Sequence, residues 1–221
     1  LTLPQGDQPA PVIILVHGSG PNDRNETLYG NTVFQDIAYR LAEQGIATVR
    51  YDKRTFVYGA ECAGDTQFTV EQETIQDAAD IVDLIAKQPE IDSSAIYVLG
   101  HSLGGLCMPR IAAATQEAAG YIMMAAPVTD LASLMKMQYE HLAQFMNTDQ
   151  EKASMDAMIA ELDKLQQLDS LPEDEAVAGA YPAYWKDLLS YDPIKTAETI
   201  TKPVLVLQGE EDYQVPLQEF E

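Results

Sequence analysis

Five short apolar runs punctuate the chain: Val12 to Val16, Ile46 to Val49, Ala95 to Leu99, Tyr121 to Ala126 and Val204 to Leu207. They are rich in branched residues, and none alternates with polar ones. A strand apolar at every position is one buried on both faces, as in a parallel sheet held between two layers of helices. The segments between the runs carry helical spacing. Phe34, Ile37, Ala38 and Leu41 share a helix face that Gly45 ends, and Ile75, Ala78, Ala79, Val82, Ile85 and Ala86 share a face of a second helix. Thr69 and Gln72 read as a capping box opening that second helix, which must stop by Pro89. Strand and helix alternating as far as residue 126 predicts right-handed βαβ units in a doubly wound, mostly parallel α/β sheet.

The alternation stops after Ala126. Residues 127–202 separate two strands that a crossover of roughly 30 residues could join. Leu131, Leu134, Gln138, Leu142 and Phe145 predict one amphipathic helix there, and Met155, Met158, Ile159, Leu162 and Leu165 a second. A chain of 221 residues suits one domain with an insertion. The core is expected over 1–126 and 203–221, with a helical lid over 127–202. All eight methionines lie between Met108 and Met158, and flexible thioethers suit either core packing or a surface that adapts to apolar ligands. Met135, Met137 and Met146 are therefore candidate substrate contacts. His141, seven residues after Leu134 and four before Phe145, is expected to face inward with them.

The composition excludes several classes. Lys and Arg number 13 against 35 Asp and Glu, a net charge of −22, the wrong sign for holding nucleic acid or anionic lipid. No apolar run approaches the roughly 20 residues of a membrane span. Cys62 and Cys107 lack metal-ligand spacing and are too few for a disulfide framework. Cys107 is expected in the core and Cys62 in an exposed loop. The sequence opens on Leu1 rather than Met, so an upstream segment is expected to have been removed. The compartment, cytoplasmic or secreted and cell-surface, stays open.

The chemistry follows the third apolar run, where Gly100 His101 Ser102 Leu103 Gly104 Gly105 matches G-x-S-x-G. The match is weak alone. Between a buried strand and a helical segment, Leu106 to Thr115, it has the context of a nucleophile elbow, in which glycines let the chain turn sharply and leave the serine exposed. Ser102 is the candidate nucleophile. Attack on a carbonyl creates an oxyanion that needs preorganised N–H donors. The Leu103 amide is one; the other is expected after the first strand, at His17 Gly18 Ser19 Gly20 Pro21, from Ser19 or else Gly20. His17 is expected to brace that loop, because in this fold the base follows the acid in the chain. Asp212, after the last strand, is the candidate acid, with Asp130 as its rival. Glu210 and Glu211 read as solvated loop charges.

The stretches HGSGPNDRNET, RYDKRT, GHSLGG, AYWKDLLSYDP and PVLVLQGEEDYQVP, in this order, closely resemble the bacterial α/β-hydrolase family of serine esterases with a helical lid. The resemblance covers nearly the whole chain and implies an α/β-hydrolase fold. It also implies hydrolysis of small-molecule carboxylic esters without metal or organic cofactor, with Ser102 as nucleophile, Asp212 as triad acid, and Ser19 and Leu103 as oxyanion donors. Asp23, Arg24, Asp52 and Arg54 match family positions and read as loop-bracing charges. In one respect the sequence departs from the family, whose members continue past the acid to a histidine loop. The only histidines here, His17, His101 and His141, all precede Asp212. The last helix, strand and histidine loop are therefore expected to be absent from these 221 residues. Three readings remain: an esterase acting on small to medium acyl groups, an amidase, peptidase or acyltransferase using the same triad, and a ligand-binding homologue without catalysis.

Overall fold

The computed structural model describes residues 1–220. Five parallel strands form the central sheet: β1 (Ala10–Val16), β2 (Ala47–Val49), β3 (Ile91–His101), β4 (Gly120–Met124) and β5 (Val204–Leu207), in the spatial order β2-β1-β3-β4-β5. Each expected run is a strand, and α1 (Val33–Glu43) and α2 (Gln76–Ile85) are the two expected helices. β1 shows why this sheet is sandwiched. Val12, Ile14 and Val16 pack toward α2, while Ile13 and Leu15 pack toward Phe34 of α1. Each such side chain taken fully out of water contributes about 1.5–3 kcal/mol.

Three local expectations need correction. Only half of the capping box forms: Gln72 Oε1 accepts from the Thr69 amide at 2.6 Å and from the Thr69 hydroxyl at 2.9 Å, so that hydroxyl is a donor. A π turn over Glu71–Ile75 comes next in the chain and buries Glu73, Thr74 and Ile75 before α2 begins. β5 is not buried on both faces. All four of its residues are exposed, because it pairs with β4 on one side and nothing among the described residues covers the other. Cys62 lies half-buried in a short helix, Gly59–Gly64, rather than in an exposed loop. Cys107 is buried as expected, and burial pushes its thiol up to about 12, so it is inert at neutral pH.

Between β4 and β5 lie α5 (Leu131–Ala143), α6 (Asp149–Asp163) and α7 (Pro182–Leu189), preceded after β3 by α3 (Leu103–Leu106) and α4 (Met108–Ala114). α5 is capped by Asp130, whose carboxylate accepts from Ser133 N at 2.9 Å, and α6 by a full capping box of Thr148 and Glu151. Leu131 and Leu134 of α5, Leu162 of α6 and Leu165 of the 3₁₀ turn after it are buried, but Met158 of α6 and Phe145, beyond the end of α5, are exposed, so the expected apolar stripes are covered only in part. Among the described residues no helix is long and apolar enough to cross a membrane.

The strand order places the site. The chain steps from β1 outward to β2 and returns to β3 on the other side of β1, so connections diverge between β1 and β3. In open α/β sheets that divergence leaves a crevice at the carboxyl ends of the strands. Val16 pairs with Gly100, so the loop after β1 and the turn after β3 emerge side by side.

Candidate active site

Ser102 sits in that turn with φ +50° and ψ −114°, a conformation disfavoured for any residue but glycine. It is held there because its N–H donates to Met124 O at 3.0 Å and its C=O accepts from Leu106 N at 2.8 Å. The turn closes only because glycines flank it. A Cβ on Gly104 would stand 2.7 Å from Val16 O and 2.8 Å from His17 O, and one on Gly105 2.5 Å from Ala126 Cβ. Leu103 is the first residue of α3, where N–H groups lack intrahelical acceptors. Neither its amide nor that of Ser19 has a hydrogen-bond acceptor among the described residues.

The loop carrying Ser19 is braced at nearly every residue. His17 is fully buried; its Nε2 donates to Asp23 O at 3.0 Å and its ring packs on Phe34 and Tyr51. Since a carbonyl only accepts, Nε2 carries the proton. Burial holds the imidazole at about 4, so it is neutral at physiological pH. Asp23 accepts from Asn25 N, Thr27 N and the Thr27 hydroxyl, which keeps its carboxyl below its ordinary value. Arg24 pairs with Asp52 through two side-chain bonds, and Arg54 with Asp77. The bracing roles read from the sequence for His17, Asp23, Arg24, Asp52 and Arg54 match these contacts.

Other groups at the site carry no sign in the sequence. Glu26, buried and at φ +49°, accepts the Gly18 N–H at 2.6 Å through Oε1. Its Oε2 lies 2.9 Å from His101 Nδ1, off-line for a linear hydrogen bond. Glu26 thus joins the loop after β1 to the residue before the nucleophile. Behind the same loop, Lys53 pairs with Glu73. Both Glu26 and Lys53 fall inside the stretches HGSGPNDRNET and RYDKRT, where a charge among bracing charges does not reveal its burial.

A cavity of about 580 Å³ opens beside this loop. Ser19, Gly20 and Pro21 line it together with Leu131, Met135, Tyr181, Tyr184, Trp185 and the small residues Ala176 and 178–180, and with Thr55, Phe68, Glu73 and residues of the short helix Gly59–Gly64. The Trp185 indole N–H donates to Val177 O at 2.8 Å, and Val177 and Ala180 bond each other across a tight turn, which holds that part of the lining in place. Met135 lines the cavity; Met137, Met146 and His141 do not. His141 instead stacks on Tyr213 at 5.0 Å and touches Phe145 at 5.1 Å. A second cavity, of about 590 Å³, opens by Asp52, Arg54 and Asp77 and contains none of the candidate catalytic residues.

Asp212 lies in the loop after β5, with Oδ1 accepting from Gln214 N at 2.9 Å and Val215 N at 3.1 Å. Its rival Asp130 is occupied as the cap of α5. Among the described residues Ser102 Oγ makes no hydrogen bond, and no histidine bonds Asp212. The three histidines are engaged with Asp23, Glu26 and Tyr213.

The family described as serine aminopeptidase, S33, matches residues 7–219. The esterase EstD of Thermotoga maritima is 40% identical over 215 residues, 97% of this chain and 50% of the relative; the chain thus spans about half the length of that protein. Among solved structures, the α/β hydrolase GrgF from Penicillium superposes with a TM-score of 0.61 at 18% identity, covering 96% of this chain and 76% of that one. Acetyl xylan esterase 1 from Thermoanaerobacterium gives 0.56 at 17%, covering 99% and 65%. The acylaminoacyl peptidase of Pyrococcus horikoshii gives 0.57 at 20%, covering 98% and 30%. At such identities these structures speak to the fold alone: the α/β-hydrolase fold.

Proposed function

Because the chain belongs to the serine aminopeptidase S33 family and has the α/β-hydrolase fold, we propose that it carries the nucleophile and oxyanion hole of a carboxylesterase. The observation that carries this reading is Ser102, held at positive φ next to Leu103 and against Gly18, where a Cβ would stand 3.3 Å from Ser102 Cβ; among the described residues neither the Leu103 nor the Ser19 amide has an acceptor, and Ser19 lines the cavity. The similarity to EstD, named an esterase, supports it.

In this mechanism Ser102 Oγ attacks the ester carbonyl as a base takes its proton. The carbonyl oxygen becomes an oxyanion accepting from Ser19 N and Leu103 N. The alkoxide leaves with the proton, and water then cleaves the acyl-enzyme by the same steps in reverse. A cavity of about 580 Å³ with apolar walls suits a small to medium acyl group. Gly20 sets the turn of the oxyanion loop with φ +84°, and residues 127–202 serve as the lid over the acyl group.

The reaction needs a base that the three histidines, in their present contacts, do not supply. A histidine in further sequence after Asp212, the order of this fold, would supply it and be oriented by Asp212 Oδ2, which makes no hydrogen bond among the described residues. The deciding experiment measures turnover of matched p-nitrophenyl ester and p-nitroanilide substrates by this chain and by a longer one. Turnover of the ester well above the anilide by the longer chain is expected. Preferential anilide cleavage would favour amide hydrolysis, which the family's description also suggests. No turnover of either, with no acylation of Ser102, would leave a ligand-binding homologue.

A further inference from the structure

A buried lysine stands behind the oxyanion loop without a part in the steps above. Lys53 exposes 2% of its side chain and its partner Glu73 5%, with Nζ 2.8 Å from Glu73 Oε1. Removing both charges from water is costly and is offset only where each finds further hydrogen bonds. Both do. Lys53 Nζ donates to Gly18 O at 2.9 Å, and Glu73 Oε2 accepts the Tyr184 hydroxyl at 2.7 Å. Glu73 is delivered by the π turn before α2, and such irregular turns frequently occur at functional sites. Glu73 and Tyr184 also line the cavity that Ser19 borders.

The Gly18 carbonyl belongs to the same peptide plane as the Ser19 N–H. That peptide is trans, so the two groups point in opposite directions. Whatever grips Gly18 O therefore aims Ser19 N–H the other way. Asn22 Nδ2 adds a second donor to that oxygen at 3.2 Å, and Glu26 fixes the preceding N–H. A cation on the carbonyl also polarises the peptide and makes its N–H a stronger donor. Were this peptide to flip, the carbonyl would face the site and the oxyanion would lose a donor.

We propose that Lys53 is a positioning residue: anchored by Glu73 and Tyr184, it locks the Gly18–Ser19 peptide so that Ser19 N–H meets the developing oxyanion. The cavity wall is thereby linked to the oxyanion hole through Tyr184, Glu73, Lys53 and Gly18 O. The chemistry rests on the serine-hydrolase reading, whereas the locking of the peptide does not.

The test pairs Lys53→Met with Glu73→Gln, so that no unpaired charge is left buried, and adds Tyr184→Phe as a milder break. With a short p-nitrophenyl ester, the folded double variant is expected to lose roughly 30- to 300-fold in kcat with KM held within about threefold, since the contact is made in the transition state. A merely structural role would instead lower the melting temperature and the active fraction. Nitrogen-15 relaxation reads the peptide without any turnover: the Ser19 order parameter is expected to fall from about 0.85 toward 0.6, with Leu103 unchanged. A folded double variant within twofold of wild-type kcat overturns the proposal. If the wild-type protein turns over no ester, the esterase reading fails, and the order parameter decides alone: a fall supports the lock and an unchanged value overturns it. If the double variant does not fold, Tyr184→Phe decides by the same two readouts, with an expected kcat loss of about three- to tenfold.

Discussion

Gly104→Ala is the sharpest single perturbation of the elbow. A Cβ there would stand 2.7 Å from Val16 O and 2.8 Å from His17 O, both backbone atoms of β1 or its exit, against 3.4 Å for ordinary contact. The end of β1 would have to retreat by about 0.7 Å, and it is held there by the register pairs of Leu15 and Val16 with Leu99 and Gly100 of β3. Overpacking of this kind costs about 1–3 kcal/mol. For a domain of this size that lowers the melting temperature by roughly 2–12 °C. The retreat also moves His17, two residues before Ser19, and displacements near 1 Å cost up to about 100-fold in rate. Gly45→Ala is the control: it strains a φ of +82° but meets no atom within 4 Å. It should cost about 1–2 kcal/mol with no change in kcat. Thermal melts followed by circular dichroism and ester kinetics on both variants measure the two effects. A Gly104→Ala protein that melts within 1 °C of wild type and keeps its kcat would refute the packing argument.

Ser102→Ala is expected to remove turnover in an active form of the protein, leaving the residual roughly 10³- to 10⁴-fold acceleration over water; retention of a tenth of kcat would show another nucleophile. Met135→Gln should alter preference between short and longer acyl esters, whereas Met137→Gln and Met146→Gln, outside the cavity, should not; identical chain-length profiles for all three would remove Met135 from the acyl site. His17 couples stability to pH. Its folded value of about 4 lies below the ordinary 6.5, so the unfolded chain takes up the proton first. Its contribution, about 3 kcal/mol, is whole above pH 6.5 and lost as pH falls toward 4. A His17→Gln variant should lack that decline between pH 6.5 and 4, and denaturant unfolding at several pH values reads it directly. Glu26→Ala leaves the Gly18 N–H without its acceptor and should destabilise by about 1–3 kcal/mol and lower kcat, with Glu26→Gln recovering most of both; equal losses in the two variants would count against the hydrogen bond.

The parallel sheet and the sharp turn that carries the candidate nucleophile Ser102 are legible in the amino-acid order alone, because those signals are local. Unbroken runs such as Val12 to Val16 report two-sided burial, and glycines at 100, 104 and 105 beside a serine report a turn no other residue could make. Chain order likewise directs the search for an acid to the loop after β5, where Asp212 stands. Local signals mislead where burial depends on a neighbour: Val204 to Leu207 has the composition of a central strand, yet it lies exposed because among the described residues β4 alone pairs with it. Lid spacing shows that α5 and α6 are helices but not which methionine faces the cavity, since that depends on how the two helices rotate against the core. The polar framework of the site emerges only on folding. Glu73 and Tyr184 are 111 residues apart in the chain, and Lys53 reaches Gly18 across 35. A lysine in RYDKRT looks like its exposed neighbours until folding removes the water around it. Whether a charge is a solvated brace or a buried anchor depends on what the rest of the chain packs over it, and that is a property of the assembled core.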